Sequence, residues 1–313
     1  MTRTLRGLVV GTLTALTLSG LAACGGGGDD NSGNPLNQPS GGGGQANLIV
    51  GSANFPESQL LAEIYAQALE AKGLKVTKKL NIGSREVYYD QVKSGAISVM
   101  PEYNGALLTT SVDKNSTAAS TDEINAELKS KLPASLEMLN SSAAEDKDSV
   151  TVNQQTATKY NLKSIADLKP VAKNMTIGGP SEFKTRTQGL VGLEKKYGLS
   201  FKKFQPFDAN AQTTLVKLLK DNKIQAADLF TTDPTITENK FVVLDDPQHV
   251  FSAQNVTPLV YKSAVNDTAR AALNAVSAKL TTQDLLDMMK QISVDKKDAD
   301  VVAKDWLSKS GLA

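Results

Sequence analysis

From residue 48 onward, short apolar runs and stripes of helical period succeed one another along the chain. Leu48-Ile49-Val50-Gly51 reads as a strand. Across Glu57 to Lys72 the residues Leu61, Ile64, Tyr65, Ala68 and Leu69 recur at helical spacing, and Gly73 supplies the stop. Lys75 to Leu80 predicts a second strand, Glu86 to Ser94 a helix, and Ile97 to Met100 a third strand. A second series opens at Val150, with strands at Val150 to Val152, Thr176 to Gly178 and Ala226 to Phe230. Helices are predicted between them at Thr187 to Tyr197 and Ala211 to Asp221. One more strand, Thr257 to Tyr261, precedes three helices at Thr268 to Lys279, Thr281 to Ile292 and Ala299 to Ser308. Ser120 and Thr281 stand three residues ahead of Glu123 and Asp284, the spacing of a capping box.

Alternation of strand and helix predicts an α/β fold with largely parallel sheets. The roughly 265 residues that carry it exceed one small core and predict two lobes, a hinged clamshell with a ligand cleft between them. Residues 47–147 and 250–313 are expected to form the first lobe, with the last helices returning to it, and 148–249 the second.

Ahead of this pattern lies a different composition. Arg3 and Arg6 precede an apolar run, Leu8 to Leu21, too short and too rich in Thr and Gly for a membrane span and of the length of a signal-peptide core. It ends in Leu21-Ala22-Ala23-Cys24, which resembles the bacterial lipobox, so 1–23 is expected to be a lipoprotein signal peptide and Cys24 the lipidated residue. Cys24 is the only cysteine, which excludes an internal disulfide. Residues 24–46 are nearly all Gly, Asn, Ser, Asp, Pro and Gln, with Leu36 the one large apolar residue, and predict a flexible tether. A monomer lipid-anchored to the outer face of the cell membrane is expected.

Removing Arg3 and Arg6 from the 34 Lys and Arg leaves 32 against 33 Asp and Glu, a balance with no electrostatic pull toward nucleic acid. His249 is the only histidine and stands in a Pro-Gln-His turn. No His/Cys cluster has metal-ligand spacing, and no Gly-rich phosphate loop follows a strand. No metal, cofactor or catalytic residue is expected, and the chain reads as a binding protein rather than an enzyme.

Five further segments sharpen this reading. They are Val50 to Ser58, Pro101-Glu102-Tyr103-Asn104-Gly105, Pro180-Ser181-Glu182-Phe183 with Arg186, Gly189 to Leu193 and Tyr197-Gly198-Leu199, then Leu229-Phe230-Thr231-Thr232-Asp233, and Leu244-Asp245-Asp246 with Phe251. In order and spacing they resemble the osmoprotectant branch of type II periplasmic binding proteins, the capture subunits of ABC importers for glycine betaine, choline and carnitine. The resemblance implies a small-molecule solute and, as partners, a permease and through it ATPase subunits.

It also implies an aromatic cage around a quaternary ammonium group, which has no hydrogen-bond donor and is held by ring faces. Tyr103 and Phe230 keep rings at two of four cage positions. The third falls on Asp148, or on Ser149 with a small shift, and the fourth on Gln254. Asn54, Phe55, Asn104 and Thr232 complete the candidate ligand contacts. Arg186 is implied as the partner of a ligand carboxylate, and a structural salt bridge between the lobes is the other reading. Tyr65 belongs to the core stripe, and Tyr88 and Tyr89 read as packing residues. The ligand is expected to be a quaternary ammonium solute of the choline or glycine betaine type, and Asp148 beside the thinned cage favours one without a carboxylate, such as choline. A polyol, sugar-like solute or polyphenol is the alternative ligand.

Overall fold

The structure is a computed structural model that describes residues 47–313. The signal peptide, tether and Cys24 lipidation expected from the sequence fall outside the described residues. β1 (Leu48–Gly51) leads to α1 (Pro56–Glu70), β2 (Val76–Lys79), α2 (Arg85–Lys93), β3 (Val99–Tyr103), α3 (Asn104–Leu107), α4 (Thr121–Lys131) and β4 (Leu136–Met138). The second lobe holds β5 (Asp148–Val152), α5 (Gln154–Tyr160), β6 (Thr176–Pro180), α6 (Leu190–Tyr197), β7 (Lys203–Phe207), α7 (Gln212–Lys220), β8 (Ala226–Phe230), α8 (Thr235–Glu238) and β9 (Val242–Val243). The chain then returns through β10 (Val256–Tyr261) to α9 (Asp267–Lys279), α10 (Thr282–Ser293) and α11 (Ala299–Lys309).

Each lobe is built on one sheet, ordered β2-β1-β3-β10-β4 in the first and β7-β6-β8-β5-β9 in the second. The sheets are parallel except for one strand each, β10 and β5. These reversed strands are the ones by which the chain enters each lobe from the other, so the two halves share one topology. The crossing segments run side by side. Asp146 N–H donates to the Gln254 carbonyl at 3.1 Å, and Glu145 and Asn255 form an isolated bridge. Val250 and Phe251 remain in the core of the second lobe, with Phe251 stacked 6.4 Å from Phe183, so the return to the first lobe follows Phe251.

Helix α1 is buried nearly all round, beyond the single stripe its sequence shows. Leu60, Leu61, Ile64, Tyr65 and Leu69 are fully buried, because α9 and α11 close over the side that the sheet does not cover. The helices of the C-terminal tail thus belong to the first lobe. Both capping boxes form: the Ser120 and Thr281 side chains accept the Glu123 and Asp284 amides.

Candidate functional site

The carboxyl ends of β1, β3, β6 and β8 converge between the lobes, where α/β sheets commonly place ligands. They bound a narrow cleft with an enclosed volume of about 50 Å³. The turn after β1 is held from both sides. Ser58 Oγ accepts the Ala53 amide at 2.9 Å and Ser52 Oγ the Asn81 amide at 2.8 Å. That fixes Asn54 and Phe55 at the cleft, and Pro56 starts α1 with a preset φ. Tyr103 and Phe230 end β3 and β8. The Phe55 ring lies 6.1 Å from Tyr103 and 5.4 Å from Phe230, tilted 34° and 36°. Three rings from two lobes therefore form one aromatic wall. Tyr88, read from sequence as packing, also borders the cleft, with its hydroxyl 2.8 Å from Glu102.

Of the sequence candidates, Asn54, Phe55, Tyr103, Asp148, Arg186, Phe230 and Gln254 line the cleft. Asn104 and Thr232 do not. Asn104 is fully buried, its Oδ1 accepting the Gly105 and Asn255 amides at 2.8 Å each and its Nδ2 donating to Asn125, so it ties β3 to the returning strand. The Thr232 hydroxyl donates to Glu57 Oε2 at 2.5 Å. Both are committed to the protein. Asp148, not Ser149, faces the cleft: the Ser149 hydroxyl donates to the Leu229 carbonyl across the β5–β8 pair. Gln254 Nε2 reaches Asp148 Oδ2 at 3.3 Å and Gln188 Oε1 at 2.9 Å.

Arg186 is engaged by protein. Its Nε and one terminal nitrogen donate to both Glu86 oxygens at 3.1 and 3.0 Å, joining the second lobe to α2 of the first. Arg85, absent from the sequence candidates, is likewise spent on Glu102 through bonds of 2.8 to 3.1 Å. Among the described residues no lysine borders the cleft, while Asp146, Asp148, Glu182 and Asp228 do. Asp228 went unnoticed in the sequence although it alternates with Phe230 on β8, and residues two apart on a strand share a face.

Burial dominates the acid–base character of these groups. It raises Asp148, against the pull of Arg186, and lifts Asp228 well above the carboxylate range with Asp148 adding to the rise. Glu57 and Asp146 are buried in contact with each other, and burial raises both. Hydrogen bonds from Thr232 and Tyr103 only partly oppose the rise at Glu57.

Two lobes of one topology, joined by paired crossing strands around a ring-lined cleft, define a bilobal solute-binding protein. Residues 46–309 match the family model described as the substrate binding domain of ABC-type glycine betaine transport system, and the chain belongs to that family. It is 28% identical over 274 residues to the glycine betaine-binding protein YehZ of Escherichia coli K12, covering 84% of this chain and 90% of that one. It is 25% identical over 268 residues to the ergothioneine transport permease/ergothioneine binding protein EgtU of Helicobacter pylori G27, covering 85% of this chain and 48% of the relative. In fold it resembles a crystal structure described as a glycine betaine/carnitine/choline ABC transporter, with a TM-score of 0.66 at 20% identity, covering 85% of this chain and 99% of that one.

Proposed function

We propose that this chain captures a quaternary ammonium solute outside the cytoplasm, against the Phe55, Tyr103 and Phe230 rings, and hands it to an ABC permease. The observation that carries this reading is the three-ring wall set among carboxyl groups, with both cleft arginines already paired. Ring faces attract a cation that offers no hydrogen bond, and its charge favours ionisation of the carboxyls around it. A ligand carboxylate would meet four acidic side chains and no free guanidinium, so the cleft favours a choline-type cation over a betaine. The family match and the glycine betaine named for the Escherichia coli relative support the quaternary headgroup. The carboxyls serve binding, and the chain performs no chemistry on its solute. Cleavage before Cys24 and lipidation there would hold a monomer at the membrane, beside the permease and its ATPase subunits. No helix among the described residues is long and apolar enough to cross a membrane.

Calorimetric titration with choline, glycine betaine, carnitine and a neutral polyol tests the ligand. Choline is expected to bind most tightly, and Phe55→Ala or Phe230→Ala to weaken it about thirtyfold, the worth of a desolvated cation–π contact. Polyol binding with no response to any quaternary amine would overturn the reading. Mass spectrometry of membrane-extracted protein is expected to find diacylglycerol on an N-terminal Cys24.

A further inference from the structure

The cleft holds two acceptors that the protein itself does not satisfy. Asp228 on β8 is 1% exposed, borders the cleft, and has no hydrogen-bond partner on either carboxyl oxygen among the described residues. The Ser149 amide lies near it without meeting hydrogen-bond geometry. Across the cleft Asn54 Oδ1, on the turn after β1, is buried and equally unpartnered. Native interiors rarely leave such groups unpaired, because each costs its full desolvation.

The backbone is arranged to admit the Asp228 carboxyl. Parallel pairing of β6 with β8 sets Gly178 beside Ala227 and so Gly179 beside Asp228. A Cβ at position 179 would stand 2.9 Å from the Asp228 Cβ and 3.6 Å from Oδ2. Glycine there leaves the carboxyl its room. A structural aspartate would be expected to own a donor in return for this burial, as Asp146 owns the Thr232 amide at 3.1 Å. Asp228 owns none.

We infer that Asp228 is a specificity-determining residue: it receives a hydrogen-bond donor, a hydroxyl or N–H, carried by the ligand apart from its ammonium group, with Asn54 Oδ1 as the acceptor on the facing lobe. This rests on the reading of the cleft as a quaternary ammonium site and adds a second demand on the ligand. Arrival of a cation lowers the cost of ionising the carboxyl, and the ionised form accepts hydrogen bonds only. A ligand that ends in an ether or a carboxylate leaves the acceptors unpaired, and a site built to bond a hydroxyl rejects its absence strongly.

The test titrates tetramethylammonium, choline, the O-methyl ether of choline and glycine betaine against wild type, Asp228→Asn and Asp228→Ala. Wild type is expected to prefer choline to its ether by about tenfold or more, the worth of a bond to a charged acceptor. The preference should shrink in Asp228→Asn and fall within about twofold in Asp228→Ala, with tetramethylammonium affinity changing less than choline affinity. The isosteric Asp228→Asn guards against a folding artefact. Equal wild-type affinity for choline and its ether, with tetramethylammonium still bound, overturns the role of Asp228 and leaves the cage standing. Failure of every trimethylammonium compound to bind wild type overturns the cage and the inference together.

Discussion

Thr232 of the second lobe donates its hydroxyl to Glu57 Oε2 of the first at 2.5 Å, while Tyr103 holds Glu57 Oε1 at 2.6 Å. The same Glu57 carboxyl touches Asp146 on the crossing segment, and Asp148, Asp233 and the Tyr103 phenol are the other titratable groups whose charge bears on the pair. Burial raises both carboxyls, and their contact means that the two do not both ionise at small cost. The lobes are therefore joined beside the crossing segments by a hydrogen-bond network centred on Glu57.

Both carboxyls lie above their ordinary values in the folded protein, so the folded chain binds more protons than the unfolded one. Their stabilisation is full below the ordinary carboxylate range and is lost as pH rises through the raised values. Asp148 and Asp228 act in the same sense. The thermal midpoint is expected to fall as pH climbs above the carboxylate range, and Glu57→Gln or Asp146→Asn to flatten that fall. Parallel profiles for wild type and both variants would remove the pair as its source.

Tyr103→Phe separates the ring from its hydroxyl. The ring face toward Phe55 survives, but Glu57 Oε1 loses a donor inside the protein, and leaving a buried acceptor unpaired costs about 1–3 kcal/mol. The variant is expected to lose stability on that scale while keeping most of its affinity for a quaternary cation. Unchanged chemical denaturation would mean that the Tyr103–Glu57 bond contributes nothing.

Arg85 and Glu102 form an ion pair whose side chains are 7% and 0% exposed, and the Tyr88 hydroxyl closes the group. Removing one partner strands the other as an uncompensated charge, for which about 3–5 kcal/mol is usual. Arg85→Ala is expected to unfold at markedly lower denaturant. The double variant Arg85→Met, Glu102→Leu should recover much of the loss, because it removes both charges. Recovery failing in the double variant would show that shape, not charge, is what Arg85 supplies.

The strands buried on both faces were legible from their apolar runs, as Ala226–Phe230 shows by matching β8 from end to end. β4, β7 and β9 were not. Each is an edge strand, two to five residues long, and β7 carries Pro206, which an edge tolerates and a central strand does not. α5 opens on an Asn153 side-chain cap in place of an apolar stripe. The rings at strand ends could be read because an aromatic after a strand has few other uses. Of the cleft carboxyls only Asp148 was read; Asp146, Glu182 and Asp228 were not, because sequence spacing does not reveal which acids burial brings together or which arginine each meets. Arg186 is the clearest case: its partner Glu86 is a hundred residues away and in the other lobe.

That pair yields the sharpest separation between latch and ligand contact. Its side chains are 19% and 45% exposed, so solvent screening limits it to about 1 kcal/mol despite its two-point geometry. Burial raises the Glu86 carboxyl, but the hydrogen bond and charge of Arg186 outweigh it and hold the group at about 2. A depressed carboxylate contributes above its ordinary pKa and is lost only as pH falls through the folded value, so the latch stays charged at neutral pH. Glu86→Gln and Arg186→Ala are each expected to open the unliganded protein in small-angle scattering. Glu86→Gln should also weaken every ligand by the same factor, about fivefold, since it acts on closure and not on the headgroup. Added salt should shrink the difference from wild type. A guanidinium that instead grips a ligand carboxylate gives the opposite pattern. Arg186→Ala would then cost glycine betaine far more than choline, and Glu86→Gln would strengthen betaine binding by freeing the fork. Observation of that pattern would return Arg186 to the ligand and reverse the preference for a cation without a carboxylate.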